Sequence, residues 1–176
     1  MSLAGRELIL GVTGSIAAYK AVYLLRELTR LGAGVTVCLT EHASEFVSPL
    51  TFRTLSGRPV LTALFDPQSP DAVEHVALAE RAHAILVAPA TANLLAKAAH
   101  GIADDFLTTL LLAARSPVLM VPAMDGGMWS TRRSSSTSRR CAGAASPSSS
   151  RTRARSPRAC RARDGSQSPT RSSRPF

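Results

Sequence analysis

The feature that most constrains this chain is the point at which its aliphatic residues stop. Residues 130–176 contain no Val, Ile, Leu, Met, Tyr or Trp, and their one Phe is the final residue. They hold 12 of the 21 Lys and Arg residues and one of the 12 acidic residues, so their net charge is +11 and that of residues 1–129 is −2. A segment of this composition cannot bury enough apolar surface to offset its chain entropy. We therefore expect a folded domain, residues 1–129, and a disordered, Arg/Ser-rich basic tail, residues 130–176.

The folded part has the alternating pattern of an α/β protein. Short apolar runs bounded by Gly, Pro or Ser predict strands, and apolar residues at helical spacing predict the helices between them. The predicted strands are Glu7–Val12, Val35–Leu39, Ala84–Ala88 and Val118–Val121, and the predicted helices run from Ala17 to Gly32 and over Glu41–Phe46, Leu50–Leu55, Ala92–Ala99 and Ala103–Ala114. Strands and helices that alternate on short connections predict a doubly wound, Rossmann-like or flavodoxin-like, mostly parallel sheet.

Ligands of such sheets bind beyond the carboxyl ends of the strands. Thr13, Gly14 and Ser15 follow the first strand and open a helix, where hydroxyls and N–H groups suit a phosphate. Ser15 as a plain helix N-cap explains the same residues equally well. The turn is not GxGxxG, and Thr40 ends the second strand where an acid would hold a ribose. A mononucleotide is therefore favoured over a dinucleotide.

Three further groups follow predicted strands or open predicted helices. Thr91 and Asn93 stand before a helix whose cap needs only one of them, which favours a ligand role. Asp104 and Asp105 are explained by helix capping and by the helix dipole. Asp125, followed by two glycines, is a candidate ligand or a turn-stabilising residue.

The remaining chemistry-bearing residues give weaker signals. An isolated histidine such as His75, which opens a predicted helix after the predicted surface loop Asp66–Asp71, is usually a surface or capping residue. The cysteines Cys38, Cys141 and Cys160 have neither metal-site nor disulfide spacing, so we expect no metal and a reduced, cytoplasmic setting. No apolar run reaches the roughly 18 residues of a membrane span, so no membrane partner is expected.

Four strings carry a family resemblance: GVTGSIAAYKA, LTFRTLSG, VAPATANLLAKAAHGIADDFLTTLLLA and PAMDGGMW. In this order and spacing they resemble the flavoprotein family of cysteine decarboxylases, over nearly all of residues 6–129. The similarity is greatest to the phosphopantothenoylcysteine decarboxylase domain of bifunctional coenzyme A biosynthesis proteins. Peptidyl-cysteine decarboxylases and other flavin- or nucleotide-binding proteins remain alternatives.

The resemblance implies FMN as cofactor and assigns roles to individual residues. His75 corresponds to the family's active-site histidine, and Asp125 and Met128 correspond to residues that hold the substrate. The family usually has Asn where this chain has Asp125, and two carboxylates repel each other unless one takes up a proton. The implied FMN contacts are Gly14, Ser15, Ile16, Thr40, Thr91, Ala92, Asn93, Leu94 and Ala123.

The resemblance also implies a reaction and an assembly. The reaction is the FMN-dependent decarboxylation of 4'-phosphopantothenoylcysteine to 4'-phosphopantetheine, a carboxy-lyase activity in which His75 is an acid/base or a positioning group. The assembly is a homotrimer or higher homo-oligomer with FMN at the subunit contact. The family completes its site with a flap of the type ACGxxGxGR, and no such string occurs in this chain.

The tail has the composition expected of a gene read in the wrong frame. If residues 130–176 are read one base too late, each TCN serine codon hides a codon for Phe, Leu, Ile or Val, which explains a Ser-rich stretch without aliphatics. Decoding with permitted codons gives a segment that resembles the family's next helix and strand, and then its flap. The alternative is a genuine Arg/Ser tail that binds RNA through phosphate charge, but this tail offers no aromatic platform for bases. A nucleic-acid partner is therefore disfavoured.

Overall fold

A five-stranded sheet with helices on both faces organises this protein. The computed structural model describes residues 2–64 and 74–131. Within these residues the strands are β1 (Glu7–Val12), β2 (Gly34–Leu39), β3 (Val60–Leu61), β4 (Ala84–Ala90) and β5 (Val118–Pro122). The helices are α1 (Ala18–Arg30), α2 (Glu41–Ser44), α3 (Pro49–Ser56), α4 (Glu74–Arg81), α5 (Ala92–His100), α6 (Phe106–Ala113) and α7 (Gly126–Ser130).

The strand order is that of a doubly wound sheet. The order is β3-β2-β1-β4-β5, and each neighbouring pair is parallel. The chain therefore builds outward from β1 in one direction through β2 and β3, and then in the other through β4 and β5. This confirms the predicted α/β class, and the reversal beside β1 creates the crevice in which such sheets bind ligands.

Alternating residues of the central strands enter two cores. Leu10 and Val12 of β1 pack in a core with α1 and α3, whereas Ile9 packs in the other core with α5 and α6. All three side chains are at least 97% buried, as expected for a parallel sheet covered on both faces. The rigid core fixes the carboxyl ends of β1, β2 and β4 relative to one another.

The differences from the predicted elements have local causes. The helix predicted from Ala103 begins at Phe106, because Asp105 has an extended backbone and caps it. The two-residue β3 is too short to give a periodic signal, and the one-turn α7 was not predicted. The predicted loop Asp66–Asp71 and residues 132–176 of the predicted tail lie outside the described residues. No helix in the described part of the chain is long and apolar enough to cross a membrane.

Candidate functional site

The carboxyl ends of three strands are joined by hydrogen bonds into one floor. Thr13, which follows β1, is 1% exposed. Its hydroxyl donates to the carbonyl oxygen of Pro89 at 2.7 Å and accepts from the N–H of Thr91 at 3.0 Å. The N–H of Thr40, after β2, donates to the carbonyl oxygen of Val12 at 3.1 Å. The sequence predicted this edge as a ligand site but did not identify Thr13 as the residue that ties β1 to β4.

The turn between β1 and α1 requires a glycine. A Cβ atom on Gly14 would lie 2.4 Å from the Cβ of His42 and 3.0 Å from the backbone carbonyl carbon of that residue. Ser15 accepts a 3.3 Å hydrogen bond from the N–H of Ala17, but the N-cap residue of α1 is Ala17 and has no side-chain cap, so the interpretation of Ser15 as a plain helix N-cap is wrong. Within the described residues, the N–H groups of Gly14, Ser15 and Ile16 have no acceptor. Three unpaired N–H groups at a helix start form the kind of cradle that binds an anion.

Thr40 presents a polar atom that the protein does not satisfy. Its Oγ1 is buried and has no hydrogen-bond partner, although Thr40 is the N-cap residue of α2. A buried hydroxyl without a partner costs free energy, and such groups are rare in folded proteins. Thr40 is also one of the residues that line a cavity at this edge.

The two polar residues at the start of α5, Thr91 and Asn93, have different roles. Thr91 caps the helix, since its hydroxyl accepts from the N–H of Leu94 at 3.4 Å. Asn93 is exposed and lines the same cavity as Thr91 and Leu94. One residue therefore suffices for the cap, and the second is left to face the cavity.

A cavity of about 490 Å³ lies over these strand ends, a volume typical of small-molecule sites. It brings together five of the predicted FMN contacts, and the remainder of its described lining comes from Thr13, α2, the end of α5 and the turn before α6. The five predicted residues are Gly14, Thr40, Thr91, Asn93 and Leu94. The further charged or aromatic lining residues are Glu41, His42, Glu45, Phe46, Lys97, Asp104 and Asp105.

The two aspartates before α6 have different roles. Asp105 forms a capping box with Thr108, whose N–H donates to the Asp105 carboxylate at 2.7 Å. Asp104 instead pairs with Lys97, whose Nζ lies 2.8 Å from both carboxylate oxygens. The hydrogen bond from Lys97 lowers the pKa of Asp104 below its ordinary value. Capping thus explains Asp105, whereas the ion pair of Asp104 crosses the helix break at Gly101 and was not predicted.

His75 lies away from this cavity. It is near the start of α4, half-buried, and its ring meets the ring of Phe106 edge to face at 6.3 Å between centroids. Helix α4 packs against α6, and His75 is not among the described residues that line the cavity. Its assignment as the acid/base stays a prediction.

The predicted substrate residues are exposed at the neighbouring strand end. Asp125 caps α7, and its Oδ1 accepts from the N–H of Gly127 at 2.7 Å, which is the turn-stabilising role considered above. Met128 is 51% exposed, and the N–H of Ala123 donates to the carbonyl oxygen of Ala90 at 3.0 Å. Besides His75, the predicted residues outside the described cavity lining are Ser15, Ile16, Ala92, Ala123, Asp125 and Met128. The roles of all predicted site residues, inside and outside the lining, stay predictions.

The strand order and the cavity at the carboxyl edge define an open α/β protein with a candidate ligand site beside a turn of unpaired N–H groups. A family model described as Flavoprotein matches residues 2–140, and the chain belongs to the Flavoprotein family. The match extends beyond Trp129, the last residue of the predicted folded domain.

Relatives with high sequence identity are much longer than this chain. The chain is 48% identical over 128 residues to the coenzyme A biosynthesis bifunctional protein CoaBC of Vibrio cholerae, covering 73% of this chain and 32% of that protein. It is 50% identical over 127 residues to CoaBC of Bacillus subtilis, covering 72% and 31%. The chain therefore spans about a third of the length of these relatives.

Solved structures with the same fold are similar in size. The structure of the FMN-dependent cysteine decarboxylase SpaF is 33% identical with a TM-score of 0.76, over 81% of this chain and 82% of SpaF. A PPC decarboxylase mutant complexed with pantothenoylaminoethenethiol is 25% identical with a TM-score of 0.68, over 79% and 78%.

Proposed function

We propose that this chain is an FMN-dependent decarboxylase domain that converts 4'-phosphopantothenoylcysteine to 4'-phosphopantetheine in coenzyme A biosynthesis. The observation that carries the proposal is the 48% identity to CoaBC over 128 residues. The likeness to a PPC decarboxylase supports the reaction. We also propose a cytoplasmic location, which fits the buried position of Cys38 in a reducing compartment.

The residues at the carboxyl edge fit FMN. The unpaired N–H groups of Gly14, Ser15 and Ile16 suit its phosphate, and the unpartnered hydroxyl of Thr40 suits a polar atom deeper in the crevice. Thr91 and Asn93 would contact the same ligand from the start of α5. When bound, the flavin supplies a reversible two-electron oxidation of the cysteine moiety, which makes the loss of its carboxylate as CO2 possible.

The protein's own groups would bind and orient the substrate and would transfer protons to or from it. The floor built by Thr13 excludes water from beneath the ligand, and His75 would hold or transfer a proton near neutral pH. Asp125 would lie beside the substrate carboxylate, which requires a proton on one of the two groups.

The proposal includes a homo-oligomer, a homotrimer or larger. Because His75 does not line the cavity of its own chain, a neighbouring copy is a natural source of this side chain. The α1 start also exposes apolar surface beside the cavity, with Ile16 74%, Tyr19 50% and Tyr23 65% exposed. Surface of this kind marks interaction sites. Sedimentation of the FMN-loaded protein as a strict monomer would contradict this part of the proposal.

A second candidate is decarboxylation of a peptide with a C-terminal cysteine. The likeness to SpaF and to TvaF from thioviridamide biosynthesis, with TM-scores of 0.76 and 0.74, favours testing it. Release of CO2 from phosphopantothenoylcysteine and from a short peptide ending in cysteine, compared at equal concentration, separates the two. If the protein decarboxylates the peptide and not phosphopantothenoylcysteine, the proposed substrate is wrong and the peptide takes its place.

The test of the main proposal is CO2 release per bound FMN by three proteins. We expect slow turnover by the 176-residue chain, faster turnover after repair of one base near codon 130, and loss of about 10²–10⁴ in rate in the repaired His75→Asn protein with flavin still bound. Equal turnover by the given and repaired chains would contradict the frameshift hypothesis. Binding of NAD in place of FMN would contradict the cofactor assignment.

A further inference from the structure

One ion pair stands in the wall of a cavity that is otherwise acidic. Four carboxylates line the cavity: Glu41, Glu45, Asp104 and Asp105. Among the lining residues in the described part of the chain, Lys97 alone carries a permanent positive charge. Its side chain is 22% exposed, and its Nζ lies 2.8 Å from both oxygens of Asp104. Lys97 is thus the one permanent cation in the described lining, and the Asp104 carboxylate is already paired with it.

An ion pair of this kind can be exchanged. The Asp104 side chain is 54% exposed, and ion pairs that face solvent add little net stability because water competes for both partners. A phosphate dianion carries twice the charge of a carboxylate and several acceptor oxygens, so it forms stronger charge-assisted hydrogen bonds with a lysine. The Lys97 stem is largely buried, which keeps its ammonium group at the wall when the partner changes.

We propose that Lys97 is an exchangeable counter-ion, which is held by Asp104 in the empty cavity and transfers to the phosphate monoester of the bound ligand. The inference rests on the proposed function, in which both the cofactor FMN and the substrate phosphopantothenoylcysteine carry such a group. The proposal makes Lys97 a residue that selects phosphorylated ligands, and it gives Asp104 the role of competing with them.

The test measures the affinity of the full 176-residue chain for FMN and for riboflavin by flavin fluorescence. We expect Lys97→Met to weaken FMN binding about tenfold to a hundredfold and to leave riboflavin binding unchanged. We expect Asp104→Asn to tighten FMN binding about threefold, because it frees Lys97 from its partner. In the double variant Lys97→Met/Asp104→Asn the tightening should disappear. Glu45→Gln removes a cavity carboxylate that does not contact Lys97 and should have a smaller effect than Asp104→Asn.

A second arm identifies the source of the phosphate. If Lys97 binds the substrate rather than the cofactor, the variants leave FMN binding unchanged. The Lys97→Met protein, loaded with FMN, then loses affinity for phosphopantothenoylcysteine but not for unphosphorylated pantothenoylcysteine, measured by the perturbation of the flavin spectrum. Either pattern supports an exchangeable lysine and assigns its ligand.

Four results would overturn the inference. Equal weakening of FMN and riboflavin binding by both single variants, with a lower melting temperature, would make the pair a structural link between α5 and α6. If Asp104→Asn tightens FMN binding in the Lys97→Met background as well, the effect is only the loss of repulsion between the Asp104 carboxylate and the phosphate. Unchanged affinity of Lys97→Met for all four ligands would remove Lys97 from the site while leaving the proposed function intact. Failure of the unaltered chain to bind either FMN or the substrate would reject the proposed function and this inference together.

Discussion

Around β1 and β2, Glu7 at the amino edge of the sheet is fully paired, whereas several polar groups at the carboxyl edge are not. At the amino edge, the Glu7 carboxylate is held by both terminal nitrogens of Arg58, and the main chain of Glu7 exchanges hydrogen bonds with His83. At the carboxyl edge, the Thr40 hydroxyl and three consecutive N–H groups from Gly14 onward have no acceptor or donor in the described residues. Paired groups stabilise the fold, whereas a buried unpaired group such as the Thr40 hydroxyl costs free energy until a ligand pairs with it. The difference predicts where a substitution changes stability and where it changes binding.

The largest effect is expected at the carboxyl edge, from Gly14→Ala. The new methyl group would overlap the Cβ and the backbone of His42, so α2 must shift away from the turn. Overpacking of this kind costs about 1–3 kcal/mol, which corresponds to FMN binding about tenfold to a hundredfold weaker if the shift disrupts the cradle. Equilibrium dialysis against FMN measures it. Gly126→Ala is the matched control, because a methyl group there meets nothing within 4 Å. Equal FMN affinity of both variants would remove the turn from the site.

Two threonines at neighbouring strand ends sharpen the comparison, because only one of them is satisfied. Thr13→Val leaves the Thr91 N–H without its 3.0 Å acceptor and removes the 2.7 Å hydrogen bond to the Pro89 carbonyl oxygen, which keeps only its 3.3 Å bond from the backbone N–H of residue 13. This should lower the free energy of unfolding by about 2 kcal/mol. Thr40→Val removes a buried hydroxyl that has no partner, and should raise that free energy by about 1 kcal/mol while weakening FMN binding. Urea denaturation without ligand measures both. Destabilisation by both substitutions would mean that the Thr40 hydroxyl is satisfied in solution.

The sequence predicted the fold well because the information is local. Strands β1, β2 and β4 are short apolar runs of mostly buried residues, and the longer helices have apolar faces, so these elements are visible in a window of a few residues. Strand β5 is apolar in sequence, although Leu119 and Val121 are exposed. The same reasoning placed Gly14, Thr40, Thr91 and Asn93 at one edge, because residues that follow parallel strands meet there. These four residues line one cavity, and their contact with FMN stays a prediction.

The parts that were not predicted depend on contacts between distant residues. The Thr13 hydroxyl bonds to Pro89 and Thr91, which lie 76 and 78 residues further along the chain. The Lys97–Asp104 pair depends on the turn that Gly101 makes after α5. Asp104 and Asp105 are indistinguishable as sequence, and only the observed start of α6 shows that the second is the cap. The sequence did not single out Glu41 or Glu45 as lining residues; Glu41 lies in the first turn of α2, where the helix dipole already explains an acid, and Glu45 is the C-cap residue of that helix.

The smallest effect is expected at the amino edge, from Glu7→Gln. The hydrogen bond from Arg58 lowers the pKa of Glu7 below its ordinary value and outweighs the opposite effect of partial burial. Since the pKa is depressed in the folded state, the pair stabilises the fold fully above the unfolded-state pKa of about 4.5, and this contribution is lost as the pH falls through the folded-state value. The side chains of Glu7 and Arg58 are 37% and 35% exposed. Solvent screening therefore limits the contribution of this pair to the free energy of unfolding to below about 1 kcal/mol.

The measurement is the free energy of unfolding of both proteins in urea at pH 7 and at pH 3. At pH 7 the unaltered protein should be more stable than Glu7→Gln. The difference in free energy of unfolding between these two proteins should be smaller at pH 3. Glu27→Gln is the matched control, because its partner Arg30 lies on the same helix and both side chains are more than half exposed. We expect Glu27→Gln to change stability less than Glu7→Gln at pH 7, and neither substitution should alter FMN affinity. A loss of FMN binding in Glu7→Gln would show that the amino edge communicates with the cavity, and the division of the sheet into a stabilising edge and a binding edge would then be wrong.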